Sequence, residues 1–154
     1  MDTKKIWEKI LIPGEEIKYE FSLGRRYIHL NADIFIILGI PLLYVFGLGL
    51  IFILTGIFIQ WLLRRSNNYA FTNKRILILK GWLSTTLTSV DYDKITETRV
   101  EENFFEKTFL GIGHLIIDTA GTDAQEIYLD NIGNPYEVKR QLEMAEESAG
   151  LPKE

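Results

Sequence analysis

Apolar and polar residues follow three regimes along this chain. From Ile34 to Leu63 the residues are almost all apolar, interrupted only by Thr55 and Gln60. Such a run is too long for a strand and lacks the polar face of a soluble helix, so it reads as membrane-spanning. As a single helix of about 30 residues it would measure about 45 Å against a hydrocarbon core of about 30 Å. A hairpin fits better, with a first arm from Tyr27, a turn around Phe46-Gly47-Leu48-Gly49 and a second arm to Leu63. One long tilted helix and a re-entrant hairpin are the alternatives. Pro41 should kink the first arm, and Gly47 and Gly49 free the backbone for the turn. His29, Asn31 and Asp33 weaken the first arm, and Asp33 is placed in the headgroup zone.

Beyond Arg65 the pattern changes to short alternating segments between turn signals, which predicts strands. These cover Tyr69–Thr72, Arg75–Lys80, Leu83–Tyr92, Ile95–Glu101, His114–Ala120 and Glu126–Asp130. Asn73-Lys74, Gly81-Trp82 and Gly121-Thr122-Asp123 are the predicted turns. A third pattern closes the chain. Asn134 is an expected N-cap, Pro135 suits the first helical position and Glu137 completes a box-like start. Val138, Leu142 and Ala145 form one apolar stripe, Lys139, Arg140, Glu143, Glu146 and Glu147 are expected to face water, and Gly150 and Pro152 end the helix. The predicted organisation is an N-terminal cytoplasmic segment (1–26), a transmembrane helical hairpin (27–65), a mainly β domain with one C-terminal capping helix (66–150) and a tail (151–154). The β domain should be a small sandwich or barrel, with the helix plugging its open side.

Charge sharpens the topology. Arg25-Arg26 precede the apolar run and Arg64-Arg65 follow it, while the expected turn is uncharged. The positive-inside tendency then puts both ends, and the β domain, on the cytoplasmic side of the cell membrane, with two crossings. Arg25, Arg26, Tyr27 and Trp61 become the interface anchors. The apolar run follows some thirty residues of ordinary sequence and lacks a cleavage pattern, which argues against a signal peptide. Overall charge is -4, with the basic residues near the apolar run and acidic ones towards the C-terminus. That balance argues against nucleic acid as a partner.

The chain has no cysteine, which removes disulfides, thiolate metal sites and a thiol nucleophile. His29 and His114 lack metal-ligand spacing with any carboxylate, and no serine or threonine stands in a nucleophile motif. Gly111-Ile-Gly113 lacks the third glycine, lysine and helix start of a phosphate loop. We therefore expect no catalytic residues, metal or cofactor. His114 is expected to be accommodated by the barrel.

The segments Tyr69-Ala-Phe-Thr-Asn-Lys-Arg75, Lys80-Gly-Trp-Leu83, Tyr92-Asp-Lys-Ile95 and Gly111-Ile-Gly113 follow Pro13-Gly14-Glu15-Glu16 and a hydrophobic hairpin. In order and spacing they resemble the bacterial pleckstrin-homology-like domain of YdbS-like membrane proteins, over residues 11–148. The resemblance implies a pleckstrin-homology barrel with a capping C-terminal helix. Our reading is a non-enzymatic, membrane-anchored module that presents the barrel to a protein partner or to another copy of itself. Phe104, Phe105, Phe109 and Leu110 are the expected partner surface, against the plainer reading that they pack under the barrel. One alternative is a sensor of anionic lipid headgroups through Arg64, Arg65, Lys74, Arg75 and Lys80. Another is a membrane-assembly or transport accessory subunit that associates through Gly39, Gly47, Gly49 and Gly56.

Overall fold

Turn chemistry and alternation fold this chain into two antiparallel sheets and a set of helices that play different parts. The computed structural model describes residues 3–43, 48–82, 84–120 and 126–150. The elements are α1 (Thr3–Ile10), β1 (Ile17–Ser22), α2 (Arg25–Leu42), α3 (Leu48–Ser66), β2 (Asn67–Thr72), β3 (Arg75–Lys80), β4 (Thr86–Asp91), β5 (Ile95–Glu101), β6 (Ile112–Thr119), β7 (Ile127–Gly133) and α4 (Pro135–Ser148). One sheet has the order β1-β2-β3-β4 and the other β5-β6-β7. A 3-10 turn, Tyr92–Lys94, carries the chain from the first sheet to the second. On the other flank a bridge from Leu23 to Ile132 joins them.

The core lies between the sheets and α4. Tyr69, Phe71, Ile76, Ile78, Val90, Leu115, Ile117, Leu129 and Ile132 meet Val138, Leu142 and Ala145 there. The helical stripe read from the sequence is thus the face that closes the barrel. Glu146 departs from that reading: it is buried, since one turn past Leu142 the helix still lies against the sheets. Asn134 caps differently from the expectation. It adopts a left-handed conformation with no side-chain cap bond, and its carbonyl accepts from Glu137 N at 3.0 Å and Val138 N at 3.2 Å. The Glu137 carboxylate instead accepts from Gln141 Nε2 at 2.8 Å and pairs with Arg140 at 2.6 Å.

Two elements went unpredicted. In α1, Trp7 covers Ala70, Leu77 and Leu79 on the outer face of the first sheet, and its Nε1 donates to Glu20 at 3.0 Å. β1 pairs with β2, so residues 17–22 belong to the sheet. Where the sequence had set residues 1–26 apart from a β domain starting at Ser66, the two helices are inserted between neighbouring strands of one sheet. The fourth strand is shorter than read, Thr86–Asp91. Of the turn expected at Phe46-Gly47-Leu48-Gly49, Leu48 and Gly49 instead open α3; Phe46, Gly47, the Gly121-Thr122-Asp123 turn, Leu83 and Pro152 lie outside the described residues.

The register gives the barrel two distinct ends. Ser22 pairs with Asn68, Asn67 with Lys80, Lys80 with Thr86, and Ile112 with Gly133. Consequently the start of α2, the end of α3, the β3–β4 turn, the β5–β6 connection and the start of α4 share one end, called here the hairpin end. The β2–β3 turn and the 3-10 turn lie at the far end.

Candidate functional site

The helices grow directly out of the barrel. Gly24 N donates to Asn131 O at 2.7 Å, and a Cβ at Gly24 would lie 2.5 Å from Ile112 Cγ2 and 3.2 Å from Gly133 N. Only glycine lets α2 start this close to the second sheet. At the other root, Ser66 O accepts from Gly81 N at 2.6 Å, tying α3 to the β3–β4 turn.

Between α2 and α3 the contacts run antiparallel, from His29 beside Gln60 and Arg64, through Ala32 beside Gly56, to Gly39 beside Gly49. Small residues form this seam. A Cβ at Gly56 would fall 2.8 Å from Ala32 O, and one at Gly49 would collide with Gly39 O and Leu43 N. The outer surface is the reverse: Ile34, Ile37, Leu38, Ile40, Leu50, Ile51, Leu54 and Ile57 are all exposed. Gly39, Gly49 and Gly56, which the sequence offered as surfaces for assembly, are occupied within the hairpin. Among the described residues one helix, α3, is long and apolar enough to cross a membrane. The other arm, α2, carries Arg25, Arg26 and Asp33 over its 18 residues.

At the root of the hairpin a cleft of about 500 Å³ is lined by Ser22, Leu23, Arg25, Ile28, His29 and Arg64. Gln60 Nε2 lies 2.8 Å from His29 Nδ1, and Arg64 Nη2 lies 3.4 Å from His29 Nε2. Gln60 and Arg64 thus converge from α3 on the two ring nitrogens of His29. Arg25, His29 and Arg64 therefore line the same cleft. Sequence reasoning had set His29 aside; its spacing of four residues from Arg25, about one helical turn, was the available signal.

Aromatic side chains flank this cleft. On the α3 side, Phe58, Trp61 and Trp82 form a cluster with ring centroids 5.7 to 6.1 Å apart, and the Arg65 guanidinium lies 4.6 Å from the Trp61 ring. Trp82 was read only as a turn residue. On the α2 side, the connection from β5 to β6 contains a π-helical turn, Glu106–Leu110, ended by Gly111 at φ 60°. Phe104, Phe105 and Phe109 are 74%, 72% and 67% exposed, so they do not pack under the barrel. His114 anchors the turn, with Nε2 3.2 Å from Glu106 Oε2 and Nδ1 3.1 Å from Asp130 Oδ1. It is a bridge rather than a filler.

The basic residues of the first strand pair do not converge. Lys74 and Arg75 stand at the far end, and Lys80, at the hairpin end, donates to Tyr128 O at 2.8 Å. Arg75 donates to Glu15 through Nε at 2.9 Å and Nη2 at 3.1 Å, while Thr72 Oγ1 and Ile12 N donate to the same carboxylate, each at 2.9 Å. Burial of Glu15 opposes its ionisation, but the bonds from Arg75, Ile12 and Thr72 outweigh it and hold the carboxyl below the usual range. Tyr92 Oη also reaches this region, donating to Thr72 O at 2.6 Å. Glu15, Thr72, Arg75 and Tyr92 thus form one structural knot. Burial raises the Tyr69 phenol well above its ordinary value. Among the described residues no group of histidine and carboxylate side chains could hold a metal ion.

The model of the bacterial PH domain family matches residues 32–146, from the middle of α2 to near the end of α4. The chain belongs to this family. Among solved structures it is similar to a DUF1696 family protein with a pleckstrin-homology domain from Shewanella loihica, at 12% identity and a TM-score of 0.49, covering 92% of this chain and 94% of that one. No curated protein matches.

Proposed function

We propose that this bacterial PH domain is a membrane-anchored, non-enzymatic binding module, held at the bilayer by the α2–α3 hairpin and presenting its barrel to a protein partner or to a second copy. The observation that carries the reading is the inverted hairpin: beyond Ile28 at its root, its seam is glycine and alanine while Ile34, Ile37, Leu38, Ile51 and Leu54 are exposed. In water that arrangement would expose a large apolar belt without compensation; in hydrocarbon it costs nothing, and close packing of small residues is what holds the helices together. The flanking arginines favour a cytoplasmic barrel.

The partner reading rests on β4. Among the described residues it pairs with β3 alone, and Thr86, Leu87, Thr88 and Ser89 are exposed. No lysine, proline or bulge protects this edge, so it can accept an added strand. Tethering raises the effective concentration of any partner at the same membrane. The test is alkaline extraction of bacterial membranes containing the full chain, with a photo-crosslinking residue at Thr88. Retention in the pellet and protein adducts at Thr88, absent from a control at Glu143, are expected. Release at alkaline pH would refute the anchor, and equal labelling at the two positions would refute the edge.

The cleft supports a second reading, binding of a phosphate-bearing headgroup between Arg25 and Arg64. Arg64→Gln should then reduce co-purified anionic lipid, whereas Lys74→Gln at the far end should not.

A further inference from the structure

Three large aromatic side chains exposed on one short turn need an explanation, because isolated exposed hydrophobics are ordinary but a contiguous aromatic patch marks an interface. We propose that the Phe104–Phe105–Phe109 turn is a bilayer wedge: it inserts into the interfacial zone of the same membrane that holds the hairpin and fixes the orientation of the barrel. This inference rests on the anchored reading and adds a second, independent membrane contact.

Position is the first argument. Glu101 pairs with His114 and Ile112 with Gly133, so the turn projects from the end of the barrel at which both hairpin helices are rooted. Leu110 and Gly111 line a cleft with Arg25 and Arg26, and a Cβ at Gly111 would come 3.5 Å from Arg26 Nη1. The turn therefore stands beside the start of α2, level with the residues expected at the headgroups.

Chemistry is the second. The rings contact one another, Phe104 with Phe105 at 5.7 Å and Phe105 with Phe109 at 6.3 Å, and together they present a coherent apolar surface. The polar groups of the turn are partnered locally: Lys107 pairs with Glu102 at 2.9 Å, and the Glu106 carboxylate accepts from Asn103 Nδ2 at 3.1 Å and lies 3.2 Å from His114 Nε2. Local pairing lowers the cost of bringing these groups towards a less polar medium. Across the hairpin, Trp61 and Trp82 offer a matching amphipathic contact, the ring type favoured at membrane interfaces. A barrel with aromatics on both flanks of its anchor is fitted to a continuous surface, and the exposed belt of the hairpin shows which surface that is.

Because the sequence has no cysteine, one introduced thiol reports one position. The full chain in lipid vesicles would carry a polarity-sensitive fluorophore at Phe105→Cys, with Leu54→Cys in α3 and Glu143→Cys on α4 as references. We expect quenching of the Phe105 label by brominated lipids, a blue shift and a several-fold loss of iodide quenching relative to the Glu143 label. If the Leu54 label is quenched by brominated lipid while the Phe105 label behaves like the Glu143 label, the wedge is refuted and the anchor stands. If the Phe105 label is shielded from iodide but untouched by brominated lipid, protein covers the turn, and the wedge is again refuted. Failure of the Leu54 label to meet lipid would overturn the anchor and the wedge together.

Discussion

In the barrel, Phe71, Ile76, Leu115 and Leu142 are fully enclosed; in the hairpin, beyond Ile28 at its root, the enclosed positions are Ala32, Gly39, Gly49 and Gly56, with isoleucines and leucines of both arms exposed. The same chain therefore obeys two packing rules within a few residues of each other. Burying a phenylalanine or leucine is favourable when the alternative is water, and gains little when the alternative is lipid. Close backbone approach, which needs small residues, becomes the main source of helix association in the second case. The boundary between the two rules falls at the roots of the hairpin, Gly24 and Ser66, where the arginines and aromatic rings collect.

Truncating one large side chain in each region breaks the comparison most directly. Phe71→Ala should destabilise the barrel by about 3–5 kcal/mol through lost burial and the cavity left behind. Leu54→Ala, at an exposed position of α3, should change stability by no more than about 0.5 kcal/mol. Denaturant unfolding of both variants in detergent, followed by near-ultraviolet circular dichroism, makes the measurement. Equal losses would mean that the hairpin surface is buried against protein.

The far end of the barrel offers a second contrast, since a buried ion pair there ties stability to pH. Glu15→Gln leaves Arg75 without its carboxylate and should cost about 2–3 kcal/mol at neutral pH. The sign follows from the depressed carboxyl. Its contribution is complete above the ordinary value of 4.5 and is lost as pH falls through the lower folded value, because the unfolded chain binds the proton first. The variant should therefore lose less stability than the parent between neutral pH and pH 3. Parallel pH profiles would remove Glu15 from the account.

Much of this division was legible in the sequence. Its inversion was not. The apolar run announced the hairpin, and alternation with turn signals marked most strands of the barrel, because both patterns are local. The Tyr69 to Arg75 segment was legible as a motif but not as a knot, since the partner of Arg75 is Glu15, brought close by β1 pairing across the inserted helices. β1 was missed although Ile17-Lys18-Tyr19-Glu20-Phe21-Ser22 alternates as a strand does; what the sequence hid was its partner, β2, on the far side of the inserted helices. Trp7 drew no reading and Trp82 read as a turn residue because their contacts, with Leu77 and Leu79 and with Trp61, are distant in sequence. The exposure of the three phenylalanines was equally hidden, because composition alone cannot tell a core filler from a surface patch.

The smallest effect sharpens the comparison from the side of the hairpin. At Gly49 an added Cβ would meet backbone on α2, Gly39 O and Leu43 N, neither of which can swing aside as a side chain can. Gly49→Val must therefore push α3 away from α2. In a tightly packed core such overpacking costs up to about 3 kcal/mol, but helices in lipid can slide apart without exposing apolar surface to water, so about 1–2 kcal/mol is expected here. Spin labels at Leu38 and Leu50, both on the outer surface, would read the separation of the helices in vesicles. An increased distance together with an unchanged denaturation midpoint of the barrel is the expected pair of results. An unchanged distance would show that the helices are not in contact along this seam, and a collapse of the barrel would show that the two packing rules are coupled through Gly24 and Ser66.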